Sequence, residues 1–213
     1  MLDYNILAIF IGSNALLYLL THIPIDAITF FSKNEKYKAE AKEYPAWDKS
    51  KFIAIITVGA SLFFWVFFLI WPILHLLGWD NFILFFNFEI PYVSIYLQIF
   101  GMVLVALGTL IAIIGRFSRG TIAISWGVPK KLTVIGMFRI IRHPLYSSYC
   151  FYFIGMPIMM QNFLLIPLIL GVLGYYLSAV YEEKILVEEF GEEYIDYQKK
   201  VGMLIPFIGR KKE

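Results

Sequence analysis

Long apolar runs constrain the fold of this chain more than any other feature of its sequence. The runs cover residues 2–31, 52–77, 91–115, 147–160 and 163–180. A run of about 20 apolar residues is long enough for an α-helix to cross the hydrocarbon core of a bilayer. Because lipid offers no hydrogen bonds, the backbone of such a segment must satisfy its own polar groups, and a helix does so. The sequence therefore predicts an all-α integral membrane protein with five transmembrane helices.

The composition agrees with a membrane protein and excludes several other classes. The residues are 60% hydrophobic and 16% charged, whereas a soluble domain is about half apolar and about a quarter charged. A net charge of +2 without a long basic block gives no indication of nucleic-acid binding. Cys150 is the only cysteine and the three histidines are scattered, so neither an intrachain disulfide nor a metal site is expected.

The last two apolar runs predict a helical hairpin. The fourth run is short for a full span, and only Gln161-Asn162 separates it from the fifth. Beyond the fifth run, apolar residues recur at helical spacing between Tyr181 and Lys200. We expect a C-terminal cytoplasmic helix there that continues the fifth span, although Gly191 weakens it.

The basic residues predict the orientation of the helices in the membrane. All 18 lie in three segments, 32–51, 116–146 and 181–213, and none lies before the first helix or between residues 78 and 90. Basic residues collect in cytoplasmic loops, which places the N-terminus outside and the C-terminus in the cytoplasm. That arrangement requires an odd number of spans. Since the N-terminus has no basic region before its apolar run, we expect a retained first helix rather than a cleaved signal.

Charged residues stand at both ends of the hairpin. Arg142 and His143 come just before the fourth run, and Glu182-Glu183 follow the fifth. Ionisable groups held at a membrane are costly and usually form a site. Arg and Tyr also serve as interfacial anchors, and acidic runs are often only solvated. Two adjacent acids at a helix C-terminus would oppose the helix dipole, so we expect the hairpin to bring them to His143 instead.

The ordered motifs on this hairpin resemble the isoprenylcysteine carboxyl methyltransferase family and its prokaryotic relatives. The first half of the resemblance is Gly-x-Phe-Arg-x-x-Arg-His-Pro-x-Tyr, which begins at Gly136 and ends at Tyr146. The second half is Glu-Glu-x-x-Leu-x-x-x-Phe-Gly-x-x-Tyr-x-x-Tyr, which begins at Glu182 and ends at Tyr197. The match covers residues 130–208. Family members often carry a glycine shortly after the Pro-x-Tyr unit, where this chain has Ser147-Ser148.

The resemblance implies S-adenosylmethionine as cofactor, bound on the cytoplasmic side. The residues it assigns to cofactor binding are His143, Tyr146, Glu183, Arg139, Leu186 and Tyr194. Those it places at the reaction itself are Arg142, Glu182 and, on the substrate side, Arg116. Within a single domain over residues 1–213, it divides three N-terminal spans (1–115) from a cofactor-binding catalytic region (116–213).

These residue types suit the chemistry of that cofactor. Aromatic faces such as those of Tyr146 and Tyr149 favour a sulfonium cation. Carboxylates accept hydrogen bonds from ribose hydroxyls and an ammonium group, and arginine pairs with a carboxylate. The implied acceptor is lipophilic, either an isoprenylcysteine carboxylate or a membrane lipid, and enters from the bilayer. The sequence does not indicate the oligomeric state.

Two other functions fit parts of the sequence. Membrane sterol reductases share a His-Pro-x-Tyr unit and use NADPH, but its phosphates require basic residues where this chain has Glu182-Glu183. A non-enzymatic membrane subunit, whose motif only anchors helices at the interface, would bind no cofactor. The sequence favours the methyltransferase over both.

Overall fold

The computed structural model describes residues 1–31, 50–119 and 132–209. These residues form helices joined by turns, and the described ranges contain isolated β-bridges but no strand. The α-helices are α1 (Tyr4–Phe31), α2 (Lys51–Leu76), α3 (Asn81–Leu84), α4 (Ser94–Arg119), α5 (Pro144–Met160), α6 (Ile169–Phe190) and α7 (Glu192–Lys200). Short 3-10 helices cover Gly136–Arg139 and Phe163–Leu168.

Within the described ranges, four helical segments are long and apolar enough to cross a bilayer, which makes the chain an integral membrane protein. They are Tyr4–Ile25, Lys51–Leu76, Ser94–Arg119 and Phe163–Phe190. The 17-residue α5 is shorter than these, but its neighbours enclose it. Tyr152, Phe153 and Met156 on α5 are fully buried, so this helix forms the centre of the hydrophobic core.

A row of glycines brings α4 into close contact with α5. Gly101, Gly108 and Gly115 lie seven residues apart on α4, and each faces α5. A Cβ atom on Gly101 would lie 2.5 Å from the backbone nitrogen of Met159, and one on Gly115 would lie 3.1 Å from Cβ of Pro144. Small residues allow such close approach of helices in membranes. The row therefore fixes the start of α5 beside the end of α4.

Buried polar side chains hold the opposite end of the hairpin. Gln161 ends α5 with a left-handed backbone (φ 48°), and its side chain exchanges two hydrogen bonds with Ser94 at 2.7 and 3.1 Å. The neighbouring Asn162 donates to the side chain of Asn87 at 2.6 Å. The loop between α2 and α3 is tied by Asp80, which accepts from the indole of Trp71 at 3.1 Å. These bonds satisfy polar groups that would otherwise be buried without partners.

The prediction of one continuous helix up to Lys200 was wrong. Helix α6 ends at Phe190, and Gly191 has φ 55° and ψ −130°, which only glycine adopts readily. After this break, Tyr194 and Tyr197 on α7 pack with Leu186 of α6 in a small hydrophobic cluster. The break is what allows α7 to cover the end of the hairpin.

The glycine row generates a prediction for stability. Gly101→Ala should lower the thermal midpoint of the purified protein in detergent, because the added methyl group meets the backbone of α5 and overpacking costs about 1–3 kcal/mol. Gly59→Ala is the matched control: Gly59 also lies in a helix, but a Cβ atom there meets nothing within 4 Å. It should keep or raise the midpoint, since Ala is favoured over Gly in helices by about 1 kcal/mol. An unchanged midpoint for Gly101→Ala would contradict the close packing of α4 on α5.

Candidate functional site

The site is built at the N-terminus of α5. Pro144 is the first residue of the helix, where its missing N–H group costs nothing and its fixed φ suits the helix. The backbone N–H groups of Arg142 and His143 donate to the carbonyls of Gly202 and Met203, at 2.9 and 3.1 Å. The entry to α5 is thereby docked along the C-terminal segment, which sets the direction of both side chains.

The imidazole of His143 lies between the two acids of α6. Its Nε2 atom is 3.3 Å from Oε1 of Glu183, and its Nδ1 atom is 3.6 Å from Oε2 of Glu182. The ring also stacks on Tyr146, with centroids 5.5 Å apart and planes 8° apart. The structure thus brings the entry and return of the hairpin together, as the sequence predicts.

This pairing changes the protonation of His143. Burial alone would lower the pKa of the imidazole, but hydrogen bonds and charge from Glu182 and Glu183 raise it from 6.5 to about 9. His143 is therefore a cation at neutral pH. Because the folded-state pKa is raised, the pairing contributes its full stability below about pH 6.5 and loses it as the pH rises through about 9.

Arg142 joins several elements of the site through hydrogen bonds from its guanidinium. Its Nε atom donates to Oε1 of Glu183 at 2.6 Å. Its Nη1 atom donates to the carbonyls of Gln198 and Val201, and Nη2 donates to that of Gly209 at 3.0 Å. The side chain is 1% exposed. Since these bonds occupy all but one of its N–H donors, the guanidinium mainly joins α5, α6 and the C-terminal segment.

Helix α7 supplies polar groups beside Glu183. Gln198 donates from Nε2 to Oε2 of Glu183 at 2.8 Å, so both oxygens of this carboxylate are held. Tyr197 donates from its hydroxyl to the carbonyl of Phe138. Sequence reasoning missed Gln198 because a lone glutamine on an amphipathic helix looks like a surface residue. Its spacing of four residues from Tyr194, on the buried face of α7, was the available signal.

Three other predicted site residues, Arg116, Leu186 and Arg139, differ in burial and in their contacts. Arg116 is buried on α4, next to Gly115, which packs on Pro144. Leu186 is buried in the hydrophobic cluster of α7. Arg139 is exposed, and its guanidinium donates to the carbonyl of Val134 at 3.4 Å rather than to the acids. Its described contacts therefore do not join it to the cluster.

Tyr149 also faces away from the charged cluster. Its hydroxyl accepts a hydrogen bond of 3.0 Å from the indole of Trp65 on α2. Its ring stacks on Tyr175 of α6, with centroids 4.7 Å apart. It therefore belongs to an aromatic wall between the helices.

The expected position of the two acids at the end of a helix was wrong. Glu182 and Glu183 were expected at the C-terminus of the fifth span, where they would oppose the helix dipole. Helix α6 instead continues about two turns further, to Phe190, and the dipole acts mainly within the last turn. The position of the acids is explained by their contacts with His143 and Arg142.

A protein family with known members matches the part of the chain that contains His143, Glu182 and Glu183. Residues 96–193 match the family described as phospholipid methyltransferase. A probable protein-S-isoprenylcysteine O-methyltransferase of rice (Oryza sativa subsp. indica) is 34% identical over 121 residues, which cover 56% of this chain and 62% of the rice protein. A methanethiol S-methyltransferase of Pseudomonas deceptionensis is 39% identical over 74 residues, 35% of this chain and 28% of that protein. The chain thus spans less than two thirds of the length of these relatives.

A solved structure is also similar to the chain. It is that of the eukaryotic intramembrane Ras methyltransferase, an isoprenylcysteine carboxyl methyltransferase, with a TM-score of 0.39 and 23% identity over 77% of this chain and 55% of the other. The hairpin motifs resemble those of isoprenylcysteine carboxyl methyltransferases, and these relatives are named as methyltransferases. Over residues 96–193, which contain the hairpin, the chain is therefore similar to phospholipid methyltransferases.

Proposed function

We propose that this protein transfers a methyl group from S-adenosylmethionine to a lipophilic acceptor at the cytoplasmic face of the membrane. The observation that carries the proposal is the buried cluster in which His143 lies between Glu182 and Glu183. The family described as phospholipid methyltransferase matches residues 96–193, which contain this cluster. A membrane anchor has no need for two acids and two cations buried together.

The residues present fit this cofactor. Two buried polar atoms beside Glu183, the hydroxyl of Tyr194 and Oε1 of Gln198, have no hydrogen-bond partner within the described ranges. Buried polar atoms without partners are rare in folded proteins and point to a bound group. The ring of Tyr146 offers an aromatic face beside the cluster, which favours a sulfonium. S-adenosylmethionine supplies the electrophilic methyl group of that sulfonium.

The contribution of the protein is alignment and exclusion of water. Methyl transfer is an in-line displacement, so its rate depends on holding donor and acceptor in register in a dry site. Arg142 and Gln198 hold both oxygens of Glu183 in place, and Glu183 in turn contacts His143. Arg142 therefore acts as a positioning residue, whereas His143, Tyr146 and Glu183 are the residues we propose to contact the cofactor.

We propose that an aromatic wall shared by α2, α5 and α6 forms the acceptor side of the site. Aromatic rings lead from Tyr146 to Tyr175 (5.1 Å between centroids), then to Tyr149, and on to Trp65 of α2. This wall gives a lipophilic acceptor an apolar route to the cluster. We propose a division into three N-terminal spans (1–115) and a cofactor-binding catalytic region (116–213), in which Trp65 is the contribution of the first part to this wall. The relatives are named for an isoprenylcysteine or methanethiol, and we propose an isoprenylcysteine carboxylate or a lipid here.

We also propose that α5 is a fifth span. Its 17 residues extend about 26 Å, which is close to the thickness of the hydrocarbon core. With five spans, the distribution of basic residues supports an N-terminus outside the cell and a cytoplasmic position for both α7 and the cluster.

An NADPH-dependent reductase fits the site less well. Phosphate groups need free cationic donors, but the guanidinium of Arg142 is engaged by Glu183 and by backbone carbonyls. The groups that lie beside Arg142 and His143 are the acids Glu182 and Glu183, which would repel a phosphate. A non-enzymatic membrane subunit would not require a ligand at all.

The cofactor can be tested by thermal stability in detergent. S-adenosylhomocysteine at about 100 times its Kd should raise the melting temperature by about 5 °C, because only ligands of the folded state stabilise it, whereas NADPH should have no effect. Glu183→Gln and His143→Ala should abolish the shift. Glu188→Gln, which changes an exposed acid on the same helix, should keep it. Stabilisation by NADPH alone would support the reductase, and stabilisation by neither ligand would support the non-enzymatic subunit.

The acceptor can be tested by methyl transfer to lipids. Purified protein incubated with methyl-labelled S-adenosylmethionine and a total lipid extract, with or without a farnesylated cysteine derivative, should move label into the organic phase. His143→Ala should lower this transfer at least about 100-fold, as expected when cofactor contact is lost, and Glu188→Gln should not. Label that stays in the aqueous phase with every lipophilic acceptor would contradict the proposed function.

A further inference from the structure

Two unpartnered polar atoms on α7 lie on one face of the helix. Tyr194 and Gln198 are each 1% exposed, and the Tyr194 hydroxyl and Gln198 Oε1 lack a hydrogen-bond partner throughout residues 1–31, 50–119 and 132–209. Residues four apart on a helix are neighbours on its surface. Leaving buried polar atoms unpaired is costly, so two such atoms side by side indicate a ligand with polar groups that match both.

The hydrogen-bonding character of each atom is fixed by its surroundings. The amide of Gln198 can be oriented only one way, because its Nε2 atom donates to Glu183 at 2.8 Å and a flipped amide would set two oxygens together. Its Oε1 atom is therefore purely an acceptor. Burial raises the pKa of Tyr194, so its hydroxyl stays protonated and is able to donate. The pair offers one acceptor beside one donor.

The surroundings of the pair favour a neutral, flat ligand. Glu182 and Glu183 are balanced by the charges of Arg142 and His143, so little negative charge is left to hold an ammonium group. Tyr194 packs among apolar and aromatic side chains, namely Leu186, Tyr197 and Val201. Such walls suit the faces of an aromatic base. A base with a donor next to an acceptor on one edge would satisfy both orphan atoms.

We propose that Gln198 and Tyr194 form hydrogen bonds with the edge of the cofactor's adenine that carries the 6-amino group and N1. The Gln198 carbonyl oxygen accepts from the 6-amino group, and the Tyr194 hydroxyl donates to the N1 atom. This inference rests on the proposed function, because it assigns the adenine of S-adenosylmethionine to the face of α7. It gives α7 a direct part in recognising the cofactor, and it makes Gln198 both a support for Glu183 and a determinant of specificity.

The test compares two ligands that differ only at this edge. Isothermal titration calorimetry in detergent would measure the Kd of S-adenosylhomocysteine and of S-inosylhomocysteine, whose edge carries an acceptor and a donor in reversed order. The wild type should prefer the adenosyl ligand about tenfold, because the reversed edge sets its O6 atom against the Gln198 oxygen and leaves two acceptors unpaired, whereas the Tyr194 hydroxyl can accept from N1–H as well as donate to N1. Tyr194→Phe should weaken adenosyl binding about 5- to 10-fold. Gln198→Lys keeps a donor toward Glu183 but removes the acceptor, and should abolish or reverse the preference.

Tyr152→Phe is the matched control. It removes a buried hydroxyl that already donates to Oγ1 of Thr109 at 3.1 Å, so it should lower the melting temperature and leave the ratio of the two Kd values unchanged. A wild type that binds both ligands equally would overturn the adenine assignment. So would a Gln198→Lys variant that keeps the adenosyl preference, or a Tyr194→Phe variant that binds S-adenosylhomocysteine as tightly as the wild type. A wild type that binds neither ligand would instead contradict the proposed function itself.

Discussion

The buried guanidinium of Arg142 is the constraint on which the rest of the site depends. It joins the start of α5 to Glu183 on α6, to the end of α7 and to the C-terminal segment up to Gly209. A charge buried to this extent is tolerated only when its partners are all in place, and removal of one partner leaves an uncompensated charge that costs about 3–5 kcal/mol. The hairpin, α7 and the C-terminal segment therefore form a single unit at this end of the protein. Glu183 is held rigidly as a result, and it is Glu183 that meets His143.

Contacts with α4 hold α5 in place at both of its ends. At the end that carries the charged cluster, the glycine row of α4 sets α5 in place as far as Gly115 and Pro144. At the other end, Gln161 bonds to Ser94 within the buried turn. In a membrane, close packing and interhelical hydrogen bonds replace the hydrophobic effect as the forces between helices. With both ends of α5 fixed, the distance between its imidazole and the acids of α6 has little freedom to vary, and such preorganisation is what a displacement reaction needs.

The parts of the structure that depend on hydropathy could be predicted from the sequence. The long helices, the hairpin and the approach of Glu182 and Glu183 to His143 follow from apolar runs and from the cost of charge at a membrane. The break at Gly191 could not be located, because glycine is only mildly unfavourable in a helix and tertiary packing decides whether the helix continues. The docking of residues 201–209 leaves no periodic pattern, since backbone carbonyls rather than side chains bind Arg142. The role of Gln198 could not be predicted either, because its burial depends on the docking of residues 201–209.

The titration of His143 tests the central claim most directly. The chain has three histidines, so selective labelling and NMR in detergent can assign each imidazole through single substitutions. If both acids contact this ring, His143 should titrate near pH 9, and Glu182→Gln and Glu183→Gln should each lower its pKa, because each removes a negative charge that stabilises the imidazolium. A wild-type His143 that titrates at or below pH 6.5, or that ignores both substitutions, would show that the two limbs of the hairpin do not meet as described.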